Sequence, residues 1–334
     1  MSLIKRAIQP IATLDKRLQV ISYLAVFLVV ANMFLLGLIP TGGQWRPAKI
    51  TGLKLAYATL LTSVDAEHDA YLLSTRVLNY QLLHSNSTMT SNAIPFLILV
   101  TPDVPEWTRR VLANEGASIV EVEKIDMEWM KPLSERWRGM MTKLRLFQFT
   151  EYDRILFLDA DTFVLKPLDG IFSDRAATSR KTKSAVRIMP DEAPLPESYL
   201  FATLPEVGNK IHSYPPLTLP HFNAGFFLLA PSAQQFNYYT SLLRLEGRFD
   251  STYPEQNLLN YAHRESGNMP WSKLYHGWNI NLPNMNDVEK GVASVHSKLW
   301  TTINVLEPPE PLLSERWNQV RKEMEEFYTE KNIV

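Results

Sequence analysis

The sequence has no cysteine. That absence excludes disulfides, structural thiolate zinc sites and cysteine nucleophiles together. It leaves the compartment open, since a chain this long buries a sizeable core without cross-links even in oxidising surroundings. An excess of charge is missing as well: 34 Lys and Arg stand against 35 Asp and Glu, a formal net charge of −1. With no long basic run either, the composition argues against a nucleic-acid partner. There are no repeats and no low-complexity segments. What is present is 334 residues, 46% of them hydrophobic, which suits one large globular domain with appendages.

One stretch lacks charge altogether: VISYLAVFLVVANMFLLGLI, from Val20 to Ile39. About 20 apolar residues are enough to cross the hydrocarbon core as a helix, and the run exceeds the apolar part of a cleaved signal peptide. Lys5, Arg6, Lys16 and Arg17 precede it, so the positive-inside rule places the N-terminus in the cytoplasm and the remainder in the lumen. The expected organisation is a cytoplasmic tail (1–19), a signal anchor (20–39), a stem (40–54), a large domain (55–306), and a C-terminal linker with a peripheral helix (307–334). Asn86-Ser87-Thr88 is an N-glycosylation acceptor, which agrees with lumenal exposure.

Past the stem, strand-like and helix-like segments alternate. LAYATLLTS (55–63) and IPFLILVTP (94–102) read as buried strands and SIVEVEKI (118–125) as a more amphipathic one. AYLLSTRVLNYQLLHS (70–85), VPEWTRRVLANEG (104–116) and a segment from about Ser134 to Phe149 read as helices. Strands separated by helices imply an α/β fold with a mostly parallel sheet, whose ligands bind beyond the carboxyl ends of the strands. In RILFLDADTFVLKPL (154–168), an apolar run ends in Asp159 and Asp161. Residues two apart in an extended chain point the same way, and two carboxylates so close raise each other's pKa unless a cation lies between them. A divalent metal is the economical explanation, magnesium or manganese for hard oxygen ligands. D-x-D alone also describes a strand-end turn or a helix cap. Haloacid-dehalogenase-type phosphatases place D-x-D-x-T or D-x-D-x-V here, but Phe163 stands at the last of those positions and no G-D-x-x-x-D follows.

From Tyr57 to Trp300 the chain resembles the glycogenin-like retaining glycosyltransferases, family eight of that classification, which have a GT-A fold. The segments ATLLTS with Asp65, MMTKLRLFQFTEYDRILFLDADTFVL, HFNAGFFLLAPS, PEQNLLNYA, YHGWNIN and VHSKLW come in that family's order. The resemblance implies a mostly parallel, Rossmann-like sheet flanked by helices. It also implies transfer of a hexose or N-acetylhexosamine from a nucleotide sugar, UDP-linked, to a glycan or glycolipid. With the anchor, the implied setting is the Golgi membrane, or alternatively the endoplasmic reticulum. Mn2+ (or Mg2+) would be held by Asp159, Asp161 and His296, and Lys298 would add charge at the leaving diphosphate. Lys143 would contact the donor, helped by Arg136 or Arg138, and Leu61, Thr62, Asp65 and Ala160 would complete the nucleotide end. Asn223, Ala224 and Gly225 would lie beside the donor sugar, the glycine letting backbone approach ligand, and Glu255 and Gln256 would stand at the reacting face.

Each of these has a plainer reading. His296 is also a hydrogen-bonded loop histidine, Lys298 a solvated charge, Asn223–Gly225 a turn into a strand, and Glu255–Gln256 a capped helix start. A catalytically silent binding protein on the same fold is the competing function. Three departures bear on transfer from the family: VHSKLW is short between histidine and lysine, Val64 and Glu67 replace residues near the base, and no tyrosine follows WNIN, so self-glycosylation is not expected. The connection from Ser173 to His221 reads as a long loop whose basic front (Arg175, Arg180, Lys181, Lys183, Arg187) faces an anionic acceptor, headgroups or solvent. Trp271, Trp278 and Trp300 read as core packing or as stacking surfaces for acceptor sugars.

Overall fold

The structure is a computed structural model that describes residues 52–62, 69–301 and 308–333. The expected signal anchor (20–39), with the tail and most of the stem, lies outside these residues, as do Val64, Asp65 and Glu67. Among the described residues no helix is long and apolar enough to cross a membrane.

Strands β1 (Leu55–Leu61) and β2 (Phe96–Val100) are buried at every position, as apolar runs covered on both faces should be. Helix α1 (Ala70–Leu83) joins them, its start fixed by Asp69, whose carboxylate accepts the N–H groups of Tyr71 and Leu72. Helix α2 (Glu106–Asn114) leads to the short strand β3 (Ser118–Glu121), and β4 (Arg154–Leu158) follows. β1 pairs in parallel with β2 and with β4, and β2 with β3. The chain therefore runs outward from β1 to β3 and then returns to the far side of β1. That reversal opens a crevice at the carboxyl ends of β1 and β4.

Beyond β4 come β5 (Thr162–Val164), β6 (Arg180–Lys181), β7 (Ser198–Tyr199), β8 (Phe201–Val207) and β9 (Thr218–Leu229). The seven-stranded sheet has the order β10-β8-β9-β4-β1-β2-β3, with β10 at Ser272–Lys273. It is largely parallel, as expected, but β9 runs antiparallel to both β4 and β8. The long connection read as a loop is thus corrected: it supplies β8, buried except at Glu206. Pro205 conceals that strand in the sequence, because proline cannot donate to a ladder; the register shifts on either side of it. Arg180 of the basic front is used structurally, reaching the Pro270 carbonyl and Ser272 Oγ at 3.3 and 3.2 Å.

The helix expected from about Ser134 to Phe149 is present and is wound as 3-10 turns, Glu135–Gln148. Three residues per turn stack Trp137, Met140 and Lys143 in one line, where an α-helix would spread them around its axis. Helices α3 (Ala233–Leu242) and α4 (Pro254–Ala262) pack on this segment's side, with Leu242, Leu258 and Leu259 fully buried in the same cluster as Met141 and Phe147. A second sheet joins β11 (Ile280–Asn281), β12 (Ser294–His296) and β5, with α5 (Met285–Glu289) between β11 and β12. The C-terminal helix α6 (Pro311–Glu330) buries Trp317, Met324 and Tyr328 with Val77 and Tyr80 of α1. Trp300 packs edge-on to Tyr71 and Trp271 against Phe222, and Trp278 Nε1 donates to Asp174 at 2.8 Å. All three tryptophans are packing residues.

Candidate active site

The acidic pair is fixed by backbone on every side. The Asp159 N–H donates to the Gly225 carbonyl at 2.8 Å, carrying the β4–β9 ladder one step past the strand, and the Thr162 N–H returns to the Asp159 carbonyl at 2.9 Å. Ser74 Oγ on α1 donates to the Ala160 carbonyl at 2.7 Å. Buried Gln81, also on α1, clamps Val164 of β5 through both ends of its amide, at 2.6 and 3.1 Å. β12 lies antiparallel to β5 with His296 opposite Thr162, and the Ser297 N–H donates to the Asp161 carbonyl at 3.0 Å. Strand pairing therefore carries the imidazole to the two carboxylates from far along the chain.

Asp159, Asp161 and His296 each offer one ligand atom, all within 4.8 Å of one another. His296 Nε2 is 2.8 Å from Asp161 Oδ1 and 3.8 Å from Asp159 Oδ2. Burial alone would raise the Asp161 pKa, but the charge and hydrogen bond of His296, with the charge of Lys298, outweigh it and hold the carboxyl at about 2. Burial would lower His296, and the two carboxylates raise it on balance. His296 Nδ1 is buried with no hydrogen-bond partner among the described residues. Two carboxylates and an imidazole with an orphaned ring nitrogen fit a divalent cation of the manganese or magnesium kind.

Gly225 lines the cavity, and its missing side chain matters inside the protein as well. A Cβ there would stand 2.2 Å from His296 Cε1 and 2.7 Å from Asp159 Oδ2, so the missing side chain makes room for the two ligand side chains themselves. Lys143 is 1% exposed. Its Nζ lies 2.8 Å from Asp159 Oδ1 and 2.9 Å from Glu255 Oε1, over the Phe157 ring. Burial pushes its pKa down, but the two carboxylates push harder in the other direction and keep it protonated. It therefore ties the metal-side carboxylate to the start of α4.

These groups line a cavity of about 520 Å³. Leu61 and Thr62 line it at the end of β1, Glu255 and Gln256 at the start of α4, and Asn223, Ala160 and Lys298 also face it. Ala224 works through its backbone: its N–H donates to Gln256 Oε1 at 3.1 Å and its carbonyl accepts from Lys143 at 3.4 Å. The other end of that amide, Gln256 Nε2, donates to Glu206 Oε2 at 3.3 Å. Since a backbone N–H only donates and a carboxylate only accepts, the amide orientation is determined. Arg138 is occupied by Glu135 and Asp126, at 3.0 and 3.5 Å, and does not line the cavity. The Arg136 side chain and Asp65 are outside the described residues.

Several lining residues escaped the sequence reading: Trp137, Met140, Glu206, His221 and Tyr253. His221 Nε2 is 3.0 Å from Glu206 Oε2, a pair that becomes visible only once β8 is seen beside β9. The signal for the other three was present, in the three-residue spacing of Trp137, Met140 and Lys143 and in the tyrosine immediately before PEQ.

Two uncharacterized proteins of Schizosaccharomyces pombe are each 29% identical to this chain: one over 281 residues, 74% of both chains, the other over 303 residues, 82% of this chain and 79% of the relative. Galactinol synthase 3 of Arabidopsis thaliana is 29% identical over 198 residues, 53% of each chain. Among solved structures, the apo form of the glycosyltransferase GlyE of Streptococcus pneumoniae matches 84% of this chain and 64% of its own, with 15% identity and a TM-score of 0.48. Mouse xyloside xylosyltransferase 1 matches 73% of this chain and 97% of its own, with 16% identity and a TM-score of 0.44. The model of the family described as Glycosyl transferase family 8 matches residues 64–299, which span the D-x-D turn, FNAG, PEQ and His296, and the chain belongs to that family.

Proposed function

We propose that this protein is a retaining, metal-dependent transferase that moves a hexose or N-acetylhexosamine from a UDP-linked donor to a glycan or glycolipid, working on the lumenal side of the Golgi membrane. The observation that carries the reading is the Asp159–Asp161 pair facing His296 in a cavity of about 520 Å³, with Lys143 and Lys298 adding positive charge around it. Breaking the anomeric C–O bond sends an electron pair onto the departing phosphate oxygen, so positive charge is needed at that point. A divalent cation held by Asp159, Asp161 and His296 would supply Lewis acidity toward the two phosphates. Lys298 adds its own charge there.

Retention requires the new bond to form on the face the diphosphate leaves. Gln256 Oε1 is engaged by the Ala224 N–H, and the Glu255 carboxylate is neutralised by Lys143 at 2.9 Å. An amide is a poor nucleophile and one Glu255 oxygen is held by Lys143, which supports a front-face displacement over a double one. The acceptor oxygen then bonds to the anomeric carbon as the bond to phosphate breaks, and the acceptor proton passes to the departing phosphate oxygen. Gln256 and Asn223 orient the sugar. The lumenal setting is supported by the charge-free run Val20–Ile39 behind Lys16 and Arg17 and by the exposed Asn86.

The test is release of UDP from a panel of UDP-sugars with Mn2+, beside Asp161→Asn. The substitution removes one anionic ligand and abolishes metal-dependent UDP binding. Unchanged binding overturns the metal site, and a parent protein inert toward every donor favours a silent binding protein instead.

A further inference from the structure

The mechanism above leaves two aromatic side chains on the cavity wall without a task. Trp137 and Tyr253 both line the cavity, their ring centroids 5.2 Å apart and their planes at 33°. Neither is withdrawn into the core: Trp137 is half-buried and Tyr253 is 38% exposed. Large apolar rings left facing a cavity are a surface waiting to be covered. Both are held from behind. The 3-10 winding keeps Trp137 in line with Met140 and Lys143, and the Trp137 N–H donates to the Ser134 carbonyl at 2.8 Å. The Tyr253 carbonyl accepts the Asn257 N–H at 2.8 Å, and the Leu133 N–H donates to the Thr252 carbonyl at 3.0 Å, tying the two segments together.

We propose that Trp137 and Tyr253 form the acceptor subsite and that it takes a pyranose ring, laid with its C–H face against the aromatic faces. The acceptor is then the end of a glycan or glycoside, not an open-chain hydroxyl compound. This inference rests on the transferase reading and assigns the sides of the same cavity. Asp159, Asp161, His296 and Lys298 take the diphosphate, and Leu61 and Thr62 the nucleotide. Tyr253 stands one residue before Pro254, which Glu255 and Gln256 follow, so the aromatic pair borders the reacting face from which an acceptor must come. A flat nucleobase has the same stacking chemistry, and Gly139 lies close enough to Thr62 for a Cβ to meet its methyl at 3.2 Å, so the test must separate the two occupants.

The experiment uses the full chain with Mn2+ and its productive UDP-sugar, and compares the methyl pyranosides of glucose, galactose and mannose with glycerol as acceptors. At least one methyl pyranoside is used well and glycerol poorly. Trp137→Ala and Tyr253→Ala each raise the pyranoside KM about tenfold while the Kd for UDP with Mn2+ moves by less than about twofold, and the phenylalanine variants at both positions keep most of the parent's affinity. Equal losses of UDP and acceptor affinity make the pair a nucleobase platform and overturn the proposal. A pyranoside KM unmoved in both alanine variants, or glycerol used as readily as the pyranosides, overturns it too. Failure of the parent to turn over any UDP-sugar overturns the transferase reading itself, a distinct result.

Discussion

Gly225→Ala probes the proposed metal site with a single methyl group. Gly225 lies inside β9 and outside the left-handed region, so alanine meets no backbone strain. Its N–H keeps Asn223 Oδ1 at 2.9 Å and its carbonyl keeps the Asp159 N–H at 2.8 Å. The added carbon, however, stands 2.2 Å from His296 Cε1 and 2.7 Å from both His296 Nδ1 and Asp159 Oδ2. Such contacts need about 3.5–4.0 Å, so the imidazole must retreat by more than about 1 Å or β9 must bow away from β4. Metal–ligand distances tolerate only about 0.2 Å. The expected result is a fall of about 10–100-fold in Mn2+ affinity in the presence of UDP, or roughly 1.4–2.7 kcal/mol. Overpacking adds about 1–3 kcal/mol of destabilisation, which lowers Tm by roughly 2–10 °C in a domain of this size. Titration calorimetry with Mn2+ and UDP reads the first effect and a thermal melt the second. Gly208→Ala is the control, because its Cβ would meet Leu219 at an ordinary 3.4 Å. If Gly225→Ala binds Mn2+ and UDP as tightly as the parent and melts at the same temperature, His296 and Asp159 are not crowded against this backbone, and the assigned ligand set is wrong.

Two other perturbations follow from buried charge. Lys143→Met leaves Asp159 and Glu255 facing each other without the ammonium that now lies 2.8 and 2.9 Å from them; the loss is about 3–5 kcal/mol, or roughly 6–20 °C in Tm, and a variant that melts with the parent would show the pairing to be absent. His263 is locked neutral: its Nδ1 donates to the Met269 carbonyl at 2.6 Å, its Nε2 accepts the Tyr239 hydroxyl at 2.6 Å, and burial drives its pKa down to about 3. A depressed histidine pKa means that the folded state binds fewer protons than the unfolded one, so this stability is full above the unfolded value of about 6.5 and is lost as pH falls toward 3, about 2 kcal/mol of it by pH 5. Denaturant midpoints at pH 8 and pH 5 should therefore differ more for the parent than for His263→Phe; equal differences would contradict the neutral assignment.

Much of the fold was legible because its signals are local. β1, β2 and β4 are continuous apolar runs, and α1 begins at a capping aspartate, so pattern and structure coincide there. The acid pair was legible from the end of a buried strand together with the motifs that accompany it, since D-x-D alone also describes a turn or a cap. β8 was hidden because Pro205 breaks the strand pattern and because its burial comes from β9, not from its own alternation. The 3-10 winding of Glu135–Gln148 was hidden because apolar residues at three- and four-residue spacing satisfy either helix. With β8 read as loop and the winding of the 135–148 helix unread, Glu206, His221, Trp137 and Met140 had no place near the acidic pair.

The role of Gly225 shows why a site's geometry lies beyond its motif. In sequence, FNAG looks like backbone shaped for a ligand; in the fold, β9 also braces the side chains on two sides of the cavity. At Gly225 it accepts the N–H of metal-side Asp159, and at Ala224 it donates to Gln256. Two residues before Ala224, the Phe222 N–H and carbonyl are both taken by the side chain of Asn260 on α4, at 3.1 and 2.9 Å. Asp159 and Gln256, on the proposed leaving-group side and reacting face, are therefore registered against the adjacent residues Gly225 and Ala224 of one strand, so backbone geometry sets their separation. Lys143 closes the same circuit with charge, bridging Asp159 to Glu255 beneath the cavity. The antiparallel strand makes this possible: β9, between β8 and β4, brings its backbone past the carboxyl end of β4 and so holds the side chains on both sides of the cavity.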